Sequence, residues 1–227
     1  MMMPQKNIVC DSSALISLAD TGNLGVLKFL SSQGICFYIT PGVKSEITTR
    51  PMTIRKYALS AIRLQKCVDD GVLKLLASVT LHEQTQRILK AANSMIFAGK
   101  KPLELIQLGE AECLAIFASA SAHMLLVDEK TTRLLIENPH KLRETIQVRN
   151  FDGVRLDQGR RDEFAALTAE VSCLRSAELL AFAYSKGYFD EYRSLKEEAF
   201  KATIYALRDS GCGLASSEIV EYENMDF

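Results

Sequence analysis

Six acidic side chains in this sequence stand where an α/β fold gathers polar groups. Asp11 ends the apolar run NIVC, and Asp128 and Glu129 follow the apolar run HMLLV. In an open parallel sheet, ligands bind beyond the carboxyl ends of the strands. We therefore expect these acids, which are far apart in the chain, to meet at one edge of a sheet. Three glutamates near the beginning of predicted helices join them: Glu46, Glu110 and Glu112.

A cluster of carboxylates has a definite chemical consequence. The charges repel one another unless a cation neutralises them. Oxygen ligands suit a hard ion, Mg²⁺ or Mn²⁺. Such an ion polarises a phosphate oxygen and lowers the pKa of an attacking water. The acid pattern therefore predicts hydrolysis of phosphodiester bonds.

Ordinary structural roles compete with this interpretation. Asp11 precedes the predicted helix SSALISLAD, where an aspartate is a favoured N-cap. Glu110 stands in a first helical turn, where the helix dipole favours an acid. Glu46 is compatible with a solvated helix face.

Strand and helix patterns alternate between the acids. This order predicts an α/β fold, a three-layer αβα sandwich with a mainly parallel central sheet. From about residue 152 the composition shifts to helix formers, so we expect a domain over 1–151 and a helical C-terminal extension over 152–227. The last predicted strand spans 144–151, one predicted helix spans 81–98, and residues 99–102 are predicted as a loop.

Three segments resemble the motifs of the PIN-domain family. IVCDSSALISLADTGNLGVL resembles the first motif, TPGVKSEI the second, and LGEAECLAIFASASAHMLLVDEKTTRLL the third and fourth, in a Gly-Glu-Ala-Glu variant. The resemblance covers about residues 1–151 and implies a metal-dependent ribonuclease.

The resemblance also implies roles for individual acids. The catalytic set is Asp11, Glu46, Glu112 and Asp128, in which Glu46 holds a metal-bound water or a second metal and the others ligate the ion. Two acids stand at each of the last two motifs, so Glu110 and Glu129 stay open as metal ligands beside Glu112 and Asp128.

Basic residues after Glu46 are candidates for phosphate contacts. We expect Arg50, Arg55 and Lys56, together with Ser12, to bind nucleic acid. The formal net charge is −1, so these contacts depend on a local patch. A solvated helix face is the alternative interpretation of the basic run.

Other features of the sequence bear on cellular location and on other kinds of binding site. The six cysteines form no C-x-x-C pair, which predicts reduced thiols in a cytoplasmic protein. No apolar stretch is long enough to predict a membrane span. The three histidines are isolated and form no zinc-binding pattern, and no glycine-rich nucleotide-binding loop is present.

Two functions follow from these residues. The first is a Mg²⁺- or Mn²⁺-dependent endonuclease acting on single-stranded or looped RNA, as an RNA-processing enzyme or as a toxin with an antitoxin partner. The second is a catalytically weak or inactive PIN-like module that binds RNA or a protein. We expect the extension to mediate homodimerisation or partner binding. The sequence leaves open RNA against DNA and one ion against two.

Overall fold

The architecture is known from a computed structural model that describes residues 6–77, 81–117, 119–150 and 153–225. Five parallel strands form the main sheet in the order β3–β2–β1–β6–β8, and three antiparallel strands form a small second sheet in the order β5–β4–β7. The strands are β1 (Lys6–Cys10), β2 (Ile35–Ile39), β3 (Leu73–Leu75), β4 (Ile96–Ala98), β5 (Lys101–Pro102), β6 (Met124–Leu126), β7 (Val154–Leu156) and β8 (Cys173–Leu174).

Helices flank the main sheet, which confirms the predicted three-layer α/β fold with a mainly parallel sheet. A π-helical turn, Ser45–Thr49, continues directly from α3, and a 3-10 segment, Asp190–Leu195, precedes α12. The α-helices are α1 (Ser12–Asp20), α2 (Gly25–Ser32), α3 (Pro41–Lys44), α4 (Arg50–Met52), α5 (Arg55–Asp69), α6 (Leu81–Asn93), α7 (Leu108–Ile116), α8 (Lys130–Glu137), α9 (Pro139–Asn150), α10 (Gln158–Leu167), α11 (Ser176–Ser185), α12 (Lys196–Asp209) and α13 (Ser216–Glu223).

The central strand β1 sets the position of the site. Its apolar residues Val9 and Cys10 are fully buried, as expected for a parallel strand covered on both faces. Strand β2 pairs with one side of β1, and β6 pairs with the other, with Cys10 opposite Leu126. The chain therefore leaves β1 and β6 side by side at the carboxyl edge, at a point where the strand order reverses and ligands commonly bind.

Two predicted elements were wrong. Residues 144–150 belong to helix α9 rather than to a strand, and residue 151 lies outside the described residues. The alternation of Ile146 and Val148 suggested a strand, but Val148 is 89% exposed, whereas the apolar pair that packs inward, Leu142 and Ile146, is spaced four apart, as in a helix.

The second error concerns residues 81–102. Helix α6 ends at Asn93, and Ile96–Ala98 and Lys101–Pro102 form a short hairpin instead of a helix end and a loop. Gly99 has a positive φ of 60°, which allows the tight turn. Arg155 of β7 lies over the ring of Phe97, 4.0 Å from its centroid, on the neighbouring strand.

The extension contributes to the main sheet and is not only helical. Its strand β8 pairs in parallel with β6, with Cys173 opposite Leu125, and forms an edge of the sheet. Helix α11 then packs against α1 and α2. The residues after 152 therefore share the core of the residues before them.

Candidate active site

A small acidic cavity opens at the carboxyl edge of β1. Its volume is about 190 Å³, and four of its seven lining residues are carboxylates that come from separate elements of the fold. None of the lining side chains is a lysine, arginine or histidine. The lining residues are Asp11, Ser12, Ser13, Glu46, Gln107, Glu110 and Glu129.

Asp11 is both a helix cap and part of the cavity wall. Its Oδ2 accepts hydrogen bonds from the backbone N–H of Ser13, at 2.9 Å, and from the Ser13 hydroxyl. Its Oδ1 is buried and accepts no hydrogen bond from the described residues. Burial raises the pKa of Asp11 despite the Ser13 hydrogen bonds, and the nearby charge of Glu46 raises it further.

Ser13 ties the ends of the two central strands together. Its hydroxyl oxygen accepts hydrogen bonds from the backbone N–H groups of Asp128, at 3.1 Å, and Glu129, at 3.3 Å, while the hydroxyl donates to Asp11. Glu129 caps α8 through Oε2, which accepts a hydrogen bond from the N–H of Thr131. Ser13 thus holds the Asp11 carboxylate beside the backbone of Asp128 and Glu129.

Glu110 enters the cavity from the first turn of α7. Its Oε2 accepts a hydrogen bond of 2.6 Å from the backbone N–H of Gln107, and its Oε1 accepts one from the hydroxyl of Thr132. Burial raises the pKa of Glu110 to about 7, and the charges of Asp11 and Glu129 add to the rise, against these two hydrogen bonds. A cation bound nearby would have the opposite effect on this carboxyl.

Glu46 stands on the π-helical turn, a type of irregularity that often occurs at functional sites. Its carboxylate packs over Gly109 at the beginning of α7: a Cβ built on Gly109 would lie 2.8 Å from Glu46 Oε1. This arrangement brings the acid after β2 to the acids that follow β1 and β6.

Comparison with known proteins agrees with this geometry. A family model, DUF3368, described as a PIN domain, matches residues 7–140, which is more than half of the chain and includes the four acids of the cavity. The chain belongs to the PIN-domain family. PIN domains have a nuclease-type fold, are generally nucleases and typically use divalent metal ions. No curated protein matches the chain.

In this PIN domain, the third and fourth motifs each contain two acids, and one acid from each motif lines the cavity. Glu110 and Glu129 line it, together with Asp11 and Glu46. Glu112 lies elsewhere, because two residues along a helix is a rotation of about 200°. Its Oε2 instead accepts a hydrogen bond of 2.8 Å from the backbone N–H of Gly42.

Asp128 also lies outside the cavity lining. It is 1% exposed, and Ser176 satisfies both of its oxygens: the backbone N–H donates to Oδ1 at 2.8 Å and the hydroxyl donates to Oδ2 at 2.6 Å. The thiol of Cys212 lies 3.3 Å from Oδ1. The Asp128 carboxylate therefore binds the C-terminal part of the chain to the end of β6.

The residues predicted to contact nucleic acid lie in different parts of the structure. Ser12 lines the acidic cavity. Arg50 lines a neighbouring cavity that shares Glu46 and Gln107 with it. Arg55 and Lys56 are exposed on α5 and line neither cavity.

The cavity residues fit a divalent cation in their chemistry. Four carboxylates with no basic side chain among them, and a buried Asp11 oxygen with no hydrogen-bond partner, make an electrostatically unbalanced site. Within the described residues, however, no group of three or more His, Cys, Asp or Glu is already arranged as a metal site. Both oxygens of Glu110 and one oxygen of Glu129 accept local hydrogen bonds, which hold these carboxylates at the cavity wall.

Two polar residues that support the site acids, and one partner of Asp128 outside the cavity, were not predicted from the sequence. Ser13 and Thr132 support the acids Asp11 and Glu110, and Ser176 holds Asp128. The DSS run beside Asp11 is a signal for Ser13. Nothing local identifies Ser176, which lies 48 residues after its partner.

One further prediction concerns membranes. Within the described ranges, none of the helices combines the length and the apolar character needed to cross a bilayer.

Proposed function

We propose that this PIN domain is a Mg²⁺- or Mn²⁺-dependent endoribonuclease whose acidic set is Asp11, Glu46, Glu110 and Glu129. The supporting observation is the convergence of these carboxylates on one cavity in which Asp11 Oδ1 is buried without a partner. Asp11, which is buried, and Glu110, which is half-buried, are the best candidates to hold the ion, because both line the cavity and burial raises the pKa of both. Glu46 and Glu129 complete the oxygen donors.

The proposed reaction is hydrolysis of one phosphodiester bond by one water. A divalent ion held by the cavity acids would supply the Lewis acidity that polarises a phosphate oxygen and acidifies an attacking water. Ser13 keeps Asp11 oriented, and the Gln107 N–H and the Thr132 hydroxyl keep Glu110 oriented. Ser12 and the Gln107 side chain are neutral groups of the lining, suited to contact phosphate oxygens.

A path for the nucleic-acid strand adjoins the acids. The neighbouring cavity has a volume of about 460 Å³ and shares Glu46 and Gln107 with the acidic cavity. Arg50 on its wall would neutralise a phosphate, and Leu108, which is 51% exposed, offers an apolar surface to a base. A single strand exposes both groups to a protein, which favours single-stranded or looped RNA as the substrate.

Cleavage of labelled RNA tests the proposal. We expect wild-type protein to cut a pool of single-stranded and hairpin RNAs with Mn²⁺ and to stop in EDTA. Asp11→Asn should lower the rate on the order of 10²-fold or more, because the loss of a metal ligand removes several kcal/mol of transition-state stabilisation. The asparagine still offers an oxygen to the Ser13 N–H, so the helix cap is retained.

The control for this experiment is Asp162→Asn. Asp162 is an exposed aspartate on α10 that pairs only with Arg161 among the described residues. Its substitution should leave the cleavage rate unchanged. RNA binding without metal-dependent cleavage would contradict the nuclease and support the alternative, a catalytically inactive module that binds RNA.

Partners and location are further proposals. In place of the extension that the sequence suggested, we propose that a homodimer or a protein partner, such as an antitoxin, covers α5 and the residues just before it. The exposed apolar side chains of this surface are Met52, Ile54, Tyr57, Leu59 and Ile62. Light scattering after gel filtration would distinguish a dimer from a monomer. A cytoplasmic location is proposed from the free cysteines.

A further inference from the structure

Two glycine–glutamate pairs join the segment that carries Glu46 to helix α7. In the first pair, the Glu46 carboxylate occupies the space in which Gly109 lacks a side chain, with Oε1 2.8 Å and Cδ 3.1 Å from an ideal Cβ. In the second pair, a Cβ on Gly42 would lie 2.5 Å from Oε2 of Glu112. Each of the two segments thus gives one glycine and one glutamate to the contact.

The second pair is also hydrogen-bonded. Glu112 Oε2 accepts a hydrogen bond from the backbone N–H of Gly42, which stands in the first turn of α3. That turn is otherwise fixed by Thr40, whose hydroxyl oxygen accepts a hydrogen bond from the N–H of Val43. Because the π-helical turn continues from α3 without a break, the Glu112 contact fixes the segment on which Glu46 stands.

Glu46 itself has no such anchor. Its carboxylate accepts no hydrogen bond within the part of the chain that the structure describes, unlike those of Asp11, Glu110 and Glu129. The position of the Glu46 carboxylate therefore depends on the backbone of the π-helical turn and on the space that Gly109 leaves by having no side chain.

Backbone conformation does not explain the glycine at position 109. Gly109 is the second residue of α7 and has no positive φ, so its backbone conformation is open to alanine. Alanine would stabilise a helix by up to about 1 kcal/mol over glycine. The glycine is thus unfavourable for the helix but leaves room for Glu46.

We propose that Gly109 and Glu112 are positioning residues for Glu46, Gly109 by leaving the space for its carboxylate and Glu112 by holding α3 through the Gly42 N–H. This inference rests on the proposed function, in which Glu46 belongs to the acidic set. It assigns Glu112 a role that needs a hydrogen-bond acceptor and no contact with an ion.

Gly109→Ala tests the first half, with Gly159→Ala as its control. Gly159 is the second residue of α10, and a Cβ there meets its nearest atom at an ordinary 3.5 Å. We expect Gly109→Ala to weaken Mn²⁺ binding about tenfold, as loss of a group supporting metal ligands does, without lowering the melting temperature. Gly159→Ala should bind Mn²⁺ like wild type. Wild-type Mn²⁺ affinity in Gly109→Ala overturns the proposal.

A double variant checks that the effect passes through Glu46. In a Glu46→Ala background, Gly109→Ala should cause no further loss of Mn²⁺ affinity, because the displaced carboxylate is already gone. An additional tenfold loss in that background would mean that Gly109 acts on something else, and the proposal would be wrong.

Glu112→Ala and Glu112→Gln test the second half. We expect the alanine variant to weaken Mn²⁺ binding about tenfold and the glutamine variant to restore it, because glutamine keeps an oxygen for the Gly42 N–H. Equal losses in both variants would show that the charge of Glu112 is required, as for a metal ligand, and would overturn a positioning role.

The outcomes separate this inference from the proposed function. If wild type binds Mn²⁺ but cuts no RNA, the nuclease is contradicted and the Mn²⁺ titrations still decide the positioning roles. If wild type binds no Mn²⁺ either, metal-free crystal structures decide: Gly109→Ala should show a displaced Glu46 carboxylate, and an unmoved carboxylate overturns the proposal.

Discussion

At the scale of single residues, the carboxylates of Asp11 and Glu129 each cap a helix and also line the cavity. One oxygen caps the following helix by accepting a hydrogen bond from the N–H of Ser13 or Thr131. The carboxylate as a whole still lines the cavity, and in Asp11 the second oxygen is buried without a partner. The capping and the ligand interpretations of a strand-end acid are therefore compatible.

Glu110 gives this site a pH dependence. Its pKa is about 7 in the folded protein and near 4.5 when unfolded, so the folded state binds more protons between these values. Stability is therefore greatest below about pH 4.5 and is lost as the pH rises to about 7. We expect metal-free wild type to lose about 1–3 kcal/mol relative to Glu110→Gln across this range.

Urea unfolding in EDTA at pH 5 and pH 8 measures this loss, because the glutamine variant has no charge to gain at position 110. Parallel pH profiles for the wild type and Glu110→Gln would contradict the raised pKa. Mn²⁺ should stabilise the wild type more at pH 8 than at pH 5, since a cation favours the ionised carboxyl.

The sequence identifies the candidate acids of the site but does not show which of them line the cavity. Helical geometry implies that Glu110 and Glu112 face different directions, since they are two residues apart. Which of them faces the strand ends depends on the rotation of α7 about its axis. That rotation is set by packing, including the contact of Glu112 with Gly42, 70 residues earlier in the chain.

At the scale of elements, the end of β6 is held by a buried hydrogen-bonded carboxylate. Ser176 at the beginning of α11 donates to both oxygens of Asp128, and the N–H of Gly213 lies 3.3 Å from the Asp128 carbonyl oxygen. Asp128 thus links β6, α11 and the segment before α13. The sequence predicted Asp128 as a catalytic residue and metal ligand and did not indicate that its hydrogen-bond partner, Ser176, lies in the extension.

Ser176→Ala tests this link. The substitution keeps the N–H but leaves Asp128 Oδ2 buried without its donor, so we expect a loss of about 1–3 kcal/mol in the free energy of unfolding. The control is Ser185→Ala, at an exposed serine on the same helix. Equal urea midpoints for the two variants would show that the Ser176 hydroxyl does not stabilise Asp128.

Among the elements themselves, the strands β1, β2 and β6 are predictable because buried parallel strands appear as short apolar runs. Helix α9 is not, because a short amphipathic segment fits two periodicities, and only burial distinguishes Ile146 from Val148. Strand β8 is two residues long, which is too short to produce a pattern.

At the scale of the whole molecule, the extension completes the fold. It supplies the edge strand β8 and also Arg175, whose guanidinium is paired with Glu178 at 2.5 Å and with Glu218 of α13 at 2.7 Å. The Arg175 ion pairs lie within the extension and hold its own segments together. The family match ends at residue 140, so the pairing of β8 with β6 is what joins the remainder of the chain to the PIN domain.

Truncation after residue 152 should therefore destabilise the PIN domain. It uncovers the edge of β6 and removes Ser176, whose two hydrogen bonds hold the Asp128 carboxylate at the end of that strand. We expect the shortened chain to lose its cooperative thermal transition by circular dichroism. A fragment with sharp, dispersed amide resonances and Mn²⁺-dependent cleavage would show that the extension is dispensable.

The most direct test of the account is the anomalous scattering of Mn²⁺ in soaked crystals of the full chain. We predict an ion in the acidic cavity, in contact with Asp11 Oδ1 and away from the carboxylates of Asp128 and Glu112. An empty cavity at saturating Mn²⁺, or an ion bound only elsewhere, would contradict the claim that these carboxylates converge to hold a metal.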